Sequence, residues 1–476
     1  MRARILLAFG VGSISLTAAF IACVGDSPAV VPPDSGSDAP SDVANCTDAQ
    51  SDPKNCGTCG HACATGFACV KGVCDNVVIG ITAGANHNCA VLKNNQVYCW
   101  GANELGQSGA DPSASEPPTF VARDKNGSTF LAASAGGGAA HSCALRTDRL
   151  VACWGRNGEN ELGFNGGTFP DGGSSFSSVP LTPVGPQFNK TTTISALARG
   201  SSAKHECGLA DGGTVVCWGW NQSTQVTALD ASTCNTEGCP ATIPAILEPA
   251  SQVTVGGTFS CALDGAGVVR CWGNGADGEL GNGNHGKCIG CAGKEWVVPV
   301  PVASYIASGR TLNCAIIKSD GSVQCWGTNE NGELGHLPLL PDGGAVDPCC
   351  SFDCGFSQNH PRCVDHPVVV PGITGAVVLA IADSAVCALK TDGNVWCWGA
   401  NDKGQLGRGT TSATPSPTPT VIPNFTGVAD VVAGAGHFCA LKKDSTVWCW
   451  GLNDKGQLGS GTGNANAPVE VKTLPR

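Results

Sequence analysis

Apolar and polar positions alternate in short runs along most of this chain, and the runs come in sets of four. Toward the C-terminus, residues 428–433 form a Val-rich run that ends at Gly434; residues 438–442, 446–450 and 468–471 complete the set. The runs are short and separated by Gly, Asn and Asp, which is the signature of strands joined by tight turns. Similar sets recur through residues 77–476 with a period of about 50 to 55 residues, a spacing typical of propellers and solenoids. Four strands repeated seven times predict an all-β fold, a seven-bladed β-propeller of four-stranded blades.

Every set carries a cysteine, a stretch of strand and turn, and then Cys-Trp-Gly. In the sixth set a hairpin loop at Thr391-Asp392-Gly393 would place Lys390 opposite Asn394, and counting back puts Cys387 opposite Cys397. Facing residues of a non-hydrogen-bonded pair have Cα atoms about 4.5 Å apart, which a disulfide accepts. One staple per blade is therefore expected: Cys89 with Cys99, Cys143 with Cys153, Cys207 with Cys217, Cys261 with Cys271, Cys314 with Cys325, Cys387 with Cys397, and Cys439 with Cys449. The fifth pair has one extra residue, assigned to a longer loop at 318–321. Each bond should add about 2 to 3 kcal/mol. Regular pairs of this kind read as structural rather than as reactive thiols. Trp100, Trp154, Trp218, Trp272, Trp326, Trp398 and Trp450 follow the second cysteine, so they point to the opposite face and pack between blades, with the next Gly permitting close approach. His87, His141, His205 and His437 stand two residues before the first cysteine, which suggests one structural hydrogen bond used repeatedly.

The segment Gly-x-x-His-x-Cys-Ala-Leu at residues 434–441, with Cys-Trp-Gly-x-Asn and Gly-Gln-Leu-Gly, resembles the repeat of the regulator of chromosome condensation family. That resemblance covers residues 77–476 and implies a seven-bladed propeller. The third set has no Leu-Gly after Asn221, so the pattern does not reach its outer turn. The family's best-known activity is guanine-nucleotide exchange on a nuclear GTPase, and some bacterial members resembling it inhibit secreted enzymes. Exchange is not expected here, because no insertion is dedicated to wedging out a nucleotide.

Composition moves the picture from fold to compartment. With 29 Cys, 66 Gly and 14% charged residues, the chain suits an oxidising environment. Residues 1–22 read as a signal peptide, with basic Arg2 and Arg4 before an apolar stretch. Phe20-Ile21-Ala22-Cys23 resembles a bacterial lipobox, which implies acylation of Cys23. Setting Cys23 aside leaves 28 cysteines, an even number. Val24 is not an inner-membrane retention Asp, so the expected location is the cell envelope at the outer membrane, with a secreted protein as the alternative. Residues 23–45 are a Ser, Pro, Asp and Gly tether. Residues 46–76 form a small disulfide-rich module, and its Asn-Cys-Gly-x-Cys-Gly stretch resembles Stig1-like secreted proteins. A zinc site at Cys56, Cys59, Cys63 and His61 is the competing reading. Net charge is −11, becoming more acidic once Arg2 and Arg4 are removed, which argues against nucleic acid and anionic membrane surfaces. Membrane attachment would be through lipid alone.

Longer segments interrupt the repeat at one phase, between the Leu-Gly turn and a fourth strand expected to begin at its proline, at residues 164–183, 220–244, 282–299 and 336–367. Insertions at one phase of a propeller emerge on one face, often the binding face. Phe164, Phe169, Trp220, Trp296, Phe352 and Phe356 are its candidate binding residues. The segments carry their own cysteines, Cys234 and Cys239, Cys288 and Cys291, and Cys349, Cys350, Cys354 and Cys363. Disulfides there would pre-order the loops, while His336, His360 and His366 leave metal ligation as a rival. No catalytic constellation, cofactor motif or metal site is assigned, so the chain is expected not to be an enzyme. The expectation is a monomeric lipoprotein that binds a protein partner, with a glycan as the alternative and a lyase or hydrolase in the channel as a third reading. Residues 77–83 and 468–474 are the terminal strands, so one blade combining both ends stays open.

Overall fold

Each Val-rich run becomes a strand because its neighbours supply the hydrogen bonds that its short length could not hold alone. Blade 1 contains Val78–Ala83, His87–Leu92, Val97–Gly101 and Thr119–Phe120. Blade 2 contains Phe130–Ser134, His141–Arg146, Val151–Arg156 and Phe176–Leu181. Blade 3 follows with Ile194–Leu197, His205–Ala210, Val215–Gly219 and Cys239–Thr242, and blade 4 with Ala250–Val255, Phe259–Asp264, Val269–Gly273 and Trp296–Val297. In blade 5 the strands are Ala303–Ser308, Leu312–Ile317, Val323–Thr328 and Cys363–Val369. Blade 6 has Ala376–Ile381, Ala385–Lys390, Val395–Asn401 and Ser412–Val421, and blade 7 has Val428–Ala433, His437–Lys442, Val447–Gly451 and Ala465–Glu470. All seven are antiparallel sheets whose strands follow chain order. The first strand of each is innermost, facing the axis.

The computed structural model describes residues 51, 54, 69–70, 73–74, 77–109, 119–120, 130–134, 140–163, 175–181, 193–200, 202–226, 239–242, 249–283, 296–336, 363–472 and 474. The expected signal peptide, Cys23, the expected tether and the zinc candidates Cys56, Cys59, His61 and Cys63 lie outside the described residues. Within the cysteine-rich module, Cys69–Val70 pairs with Val73–Cys74 as a hairpin, and Cys69 is disulfide-bonded. No helix among the described residues is long and apolar enough to cross a membrane.

The ring closes in phase. Residues 77–83 supply the innermost strand of blade 1, and the last strand is the outermost of blade 7, so no blade combines the two ends. Closure is made by packing and hydrogen bonds between blades instead. Val78, Ile81 and Trp100 share a buried cluster with Val432, Leu458 and Val471, and the Ala435 amide donates to the Ala85 carbonyl at 2.9 Å.

Two expectations need correction. The fourth strand does not begin at its proline. Pro468 lies inside Ala465–Glu470, and Pro180 and Pro367 lie inside Phe176–Leu181 and Cys363–Val369. An outermost strand tolerates proline because its missing N–H leaves no partner strand unpaired. The expected insertions therefore include true fourth strands. The outer turn of blade 3 is also intact: Val226 N donates to Asn221 Oδ1 at 2.8 Å and Ser223 N to Gln225 Oε1 at 2.8 Å. Thr224, at φ 59°, stands where Gly404 stands in blade 6. In blade 1 the equivalent turn is Gln107-Ser108-Gly109, with Ser108 N donating to Asn103 Oδ1 at 3.0 Å. Leu105-Gly106 lies before it and is not the equivalent of the other Leu-Gly pairs.

Candidate binding face and the seams beneath it

The second and third strands of every blade form a hairpin that brings the two cysteines opposite one another. All seven disulfides form, with Cα separations of 4.0 to 4.2 Å. In blade 6 the Lys390 amide donates to Asn394 O, as the three-residue loop requires, and blade 5 uses the longer loop 318–321. Glycine follows each Trp at the end of the third strand or close to it because nothing else fits: Gly101 sits at φ 102°, and a Cβ there would lie 2.5 Å from Asn86 O. The exit of the third strand is thereby pressed against the turn between the first and second strands.

Burying Trp against the neighbouring blade demands a hydrogen bond for its indole N–H. Each Trp finds the carbonyl of the Gln or Glu in the preceding blade's outer turn. Trp154 donates to Gln107 O, Trp218 to Glu161 O, Trp272 to Gln225 O and Trp326 to Glu279 O, all at 2.9 Å. Trp398 reaches Glu333 O at 2.6 Å and Trp450 Gln405 O at 3.0 Å. Trp100 reaches back around the ring to Gln457 O at 2.9 Å. The side chain of that Gln or Glu folds over its own turn, as when Glu279 Oε2 accepts from Asp277 N at 2.8 Å. Burial pushes the carboxyls of these turns upward, to about 8 for Glu279 and about 7 for Glu333, against hydrogen bonds that pull them down.

Histidine adds a second seam bond. His87 Nε2 lies 2.7 Å from Ser142 Oγ, and that hydroxyl gives its proton to Gln107 O at 2.9 Å. The serine can then only accept, so the His proton resides on Nε2. His205 with Ser260 repeats the arrangement at 2.8 Å, and His437 with Asn88 Oδ1 at 3.0 Å. Burial lowers these imidazoles to about 4 for His87 and about 3 for His205 and His437, which keeps them neutral. His141 differs. The residue placed as its partner is Glu206, yet His141 Nε2 and Glu206 Oε2 are both buried with no hydrogen-bond partner among the described residues.

Along the axis, Arg199 of blade 3 reaches Asp430 of blade 7 in a bidentate pair at 3.1 and 2.9 Å. Burial works against the guanidinium charge, but Asp430 and Tyr305 outweigh it and the net shift is upward. Thr82, Arg199, Tyr305 and Val431 line a cavity of about 30 Å³, room for about one or two waters. Sequence reading did not single out Arg199, Asp430, Tyr305 or Glu206. Their signal was available as departures from the repeat: Asp430 and Tyr305 occupy the inner-strand position that is Gly80 in blade 1.

Because the third strand ends beside the turn between first and second strands, connections to the fourth strand leave from that same face. The longest belong to blades 2 to 5, which are consecutive, and include residues 164–174, 227–238, 284–295 and 337–362, outside the described residues. Phe164, Phe169, Phe352 and Phe356 lie among them, as do Cys234, Cys288, Cys291, Cys349, Cys350, Cys354 and His360. Trp220 is described and half-buried: its amide donates to Lys204 O at 3.0 Å, and Lys204 Nζ stands 5.3 Å from its ring. Trp296 is in a strand, paired with Cys271, and packs against the cluster of Phe259, Leu280 and Trp326. Its position is a seam rather than a loop. Cys363 is disulfide-bonded, His366 Nδ1 lies 3.1 Å from Asp365 Oδ1, and no group of three or more metal-ligating side chains occurs among the described residues.

Comparison with known proteins agrees with this geometry. The profile described as RCC1-like domain matches residues 136–476, and that of the regulator of chromosome condensation (RCC1) repeat matches residues 78–107. The chain is 26% identical over 396 residues to the E3 ubiquitin-protein ligase HERC2 of Mus musculus, across 80% of this chain but only 7% of HERC2. To the ultraviolet-B receptor UVR8 of Arabidopsis thaliana it is 24% identical, covering 83% of this chain and 82% of the receptor. Yeast RCC1 (Prp20), solved with Kap60, superposes with a TM-score of 0.63 at 20% identity, over 79% of this chain and 84% of that one. The blades, their in-phase turns and these matches together make the chain a member of the RCC1-like domain family.

Proposed function

We propose that this chain is a lipid-anchored protein of the cell envelope, monomeric, whose propeller is a non-catalytic scaffold for a protein partner. One observation carries the reading: the seams repeat from blade to blade, while the long connections leave one face on the consecutive blades 2 to 5. A frame held by repeated bonds, with variable segments on one side, suits recognition. The axial cavity has room for little more than water, which weighs against a substrate bound there. Yeast RCC1 is itself solved bound to another protein, Kap60. Trp296, packed into a seam, is one aromatic fewer for a glycan platform. The Phe20-Ile21-Ala22-Cys23 segment and the cysteine content motivate the anchor and the envelope.

The test is capture under non-reducing conditions from envelope and secreted fractions, with residues 45–476 as bait, read by mass spectrometry. A saturable protein partner lost on Trp220→Ala, with the thermal midpoint unchanged, supports the scaffold. Partner binding indifferent to Trp220→Ala and to trimming of the long connections removes the proposed face, and glycan-array binding without a protein partner replaces it. Metabolic labelling with a fatty acid that persists in Cys23→Ser would sink the anchor.

A further inference from the structure

The outermost strand of blade 6, Ser412–Val421, is the longest strand among the described residues at 10 residues and reads Ser-Ala-Thr-Pro-Ser-Pro-Thr-Pro-Thr-Val. It does not pair continuously with Val395–Asn401. Thr420 faces Cys397, Ser416 faces Gly399 and Ser412 faces Asn401, with a register shift at each step. Residues 413–415 and 417–419 therefore bulge out of the ladder, where prolines without an N–H cannot hold it. The second bulge is itself fastened on both sides of Thr418: Pro419 is buried, and Pro417 lies against the blade 5 turn at Gly332.

The hydroxyls divide into two groups. Ser416 Oγ accepts from Arg408 at 2.9 Å, Thr420 Oγ1 donates to Thr418 O at 3.2 Å, and Ser412 Oγ donates to Thr414 O at 2.9 Å. Thr414 and Thr418 are exposed, one in each bulge, and neither hydroxyl has a hydrogen bond among the described residues. Each is followed directly by proline. A Ser/Thr-Pro tract is the composition of O-glycosylated segments, and proline on a free edge keeps another strand from covering it. Here the tract is held extended and outward on a rigid blade.

We propose that Thr414 and Thr418 are O-glycosylation sites. Threonine Oγ1 attacks the anomeric carbon of an activated sugar, a glycosyl phosphate linked to a nucleotide or a polyprenol. The new glycosidic C–O bond forms as the bond from that carbon to the phosphate oxygen breaks. The phosphate leaves with the electron pair, and the hydroxyl proton passes to a base of the transferase. Ser416, in the ladder with its oxygen engaged by Arg408, stays unmodified.

The experiment uses the full chain isolated from the cells that make it, reduced, alkylated and cut with trypsin, which releases residues 409–442 as one peptide. Electron-transfer fragmentation is expected to place hexose or hexosamine increments on Thr414 and Thr418 and none on Ser416. The doubly substituted Thr414→Val, Thr418→Val protein should lose both increments and keep its thermal midpoint. A peptide with no increment, a phosphate increment, or sugar confined to other hydroxyls of the same peptide overturns the assignment.

Discussion

The seam between blades 7 and 1 and the seam between blades 2 and 3 use the same positions with different results. At the first, His437 bonds Asn88, and Asn88 and Trp100 both donate to the Gln457 carbonyl, at 2.7 and 2.9 Å. At the second, Trp218 still donates to Glu161 O, but Glu206 replaces the small amide or hydroxyl, and His141 Nε2 and Glu206 Oε2 are left buried without a hydrogen-bond partner. Both seams close. The indole clamp is therefore what the ring requires, and the histidine bond beside it is an addition that blades 4, 5 and 6 omit, with Phe259, Leu312 and Ala385 in its place.

Removing the clamp should do the most damage. Trp218→Ala is expected to lower stability by about 3 to 5 kcal/mol, read by urea denaturation of the oxidised protein; a loss below about 1 kcal/mol would mean that the clamp is not what holds this seam. Opening the staple beside it, with Cys207→Ser and Cys217→Ser together, should cost about 2 to 3 kcal/mol and leave the far-ultraviolet circular dichroism unchanged.

Repairing the second seam should move stability the other way. Glu206→Ser supplies the residue that Ser142 and Ser260 provide elsewhere, and it removes a buried, unsatisfied oxygen. A gain of about 1 kcal/mol is expected. Burial holds the Glu206 carboxyl well above its usual range, with a partly opposing bond from the Cys207 amide. A group whose folded pKa is raised loses stability as pH climbs above its unfolded value. The gain should thus grow from pH 5 to pH 8, and a gain that shrinks over that span would count against an ionisation penalty at Glu206.

The smallest effect lies with the histidines. Their folded values of about 3 to 4 are below the ordinary 6.5, because burial disfavours the imidazolium. The unfolded chain binds more protons between those values, so stability rises with pH from about 4 to 6.5. His437→Phe, the residue found in blade 4, should reduce that slope by one proton, measured as the denaturation midpoint against pH. An unchanged slope would show that His437 is not titrating on unfolding.

What could be read in the chain was what a hairpin decides locally. The pairing of Cys387 with Cys397 follows from the loop at Thr391-Asp392-Gly393, and the alternation that sends Trp398 to the other face follows from strand geometry. The turn of blade 3 could not be read from the pattern because Thr224 takes a backbone conformation usually left to glycine. The fourth strands were misplaced because proline suggests a boundary, and an outer edge suspends that rule. Of the candidate binding residues, Trp220 lies on the face of the long connections and Trp296 in a seam, a distinction that composition does not carry.

The sequence by itself determined the number of blades, their strand-and-turn rhythm and the seven disulfides, because each depends on residues about ten apart and on short-range backbone geometry. Only the tertiary structure decided which carbonyl each tryptophan meets, that the ring closes without sharing a blade, and that Arg199 and Asp430 join across the axis. Those contacts link different blades, and Trp100 and Gln457 stand at opposite ends of the propeller sequence. They become neighbours only when the stacked blades complete a circle, a condition that no local pattern encodes.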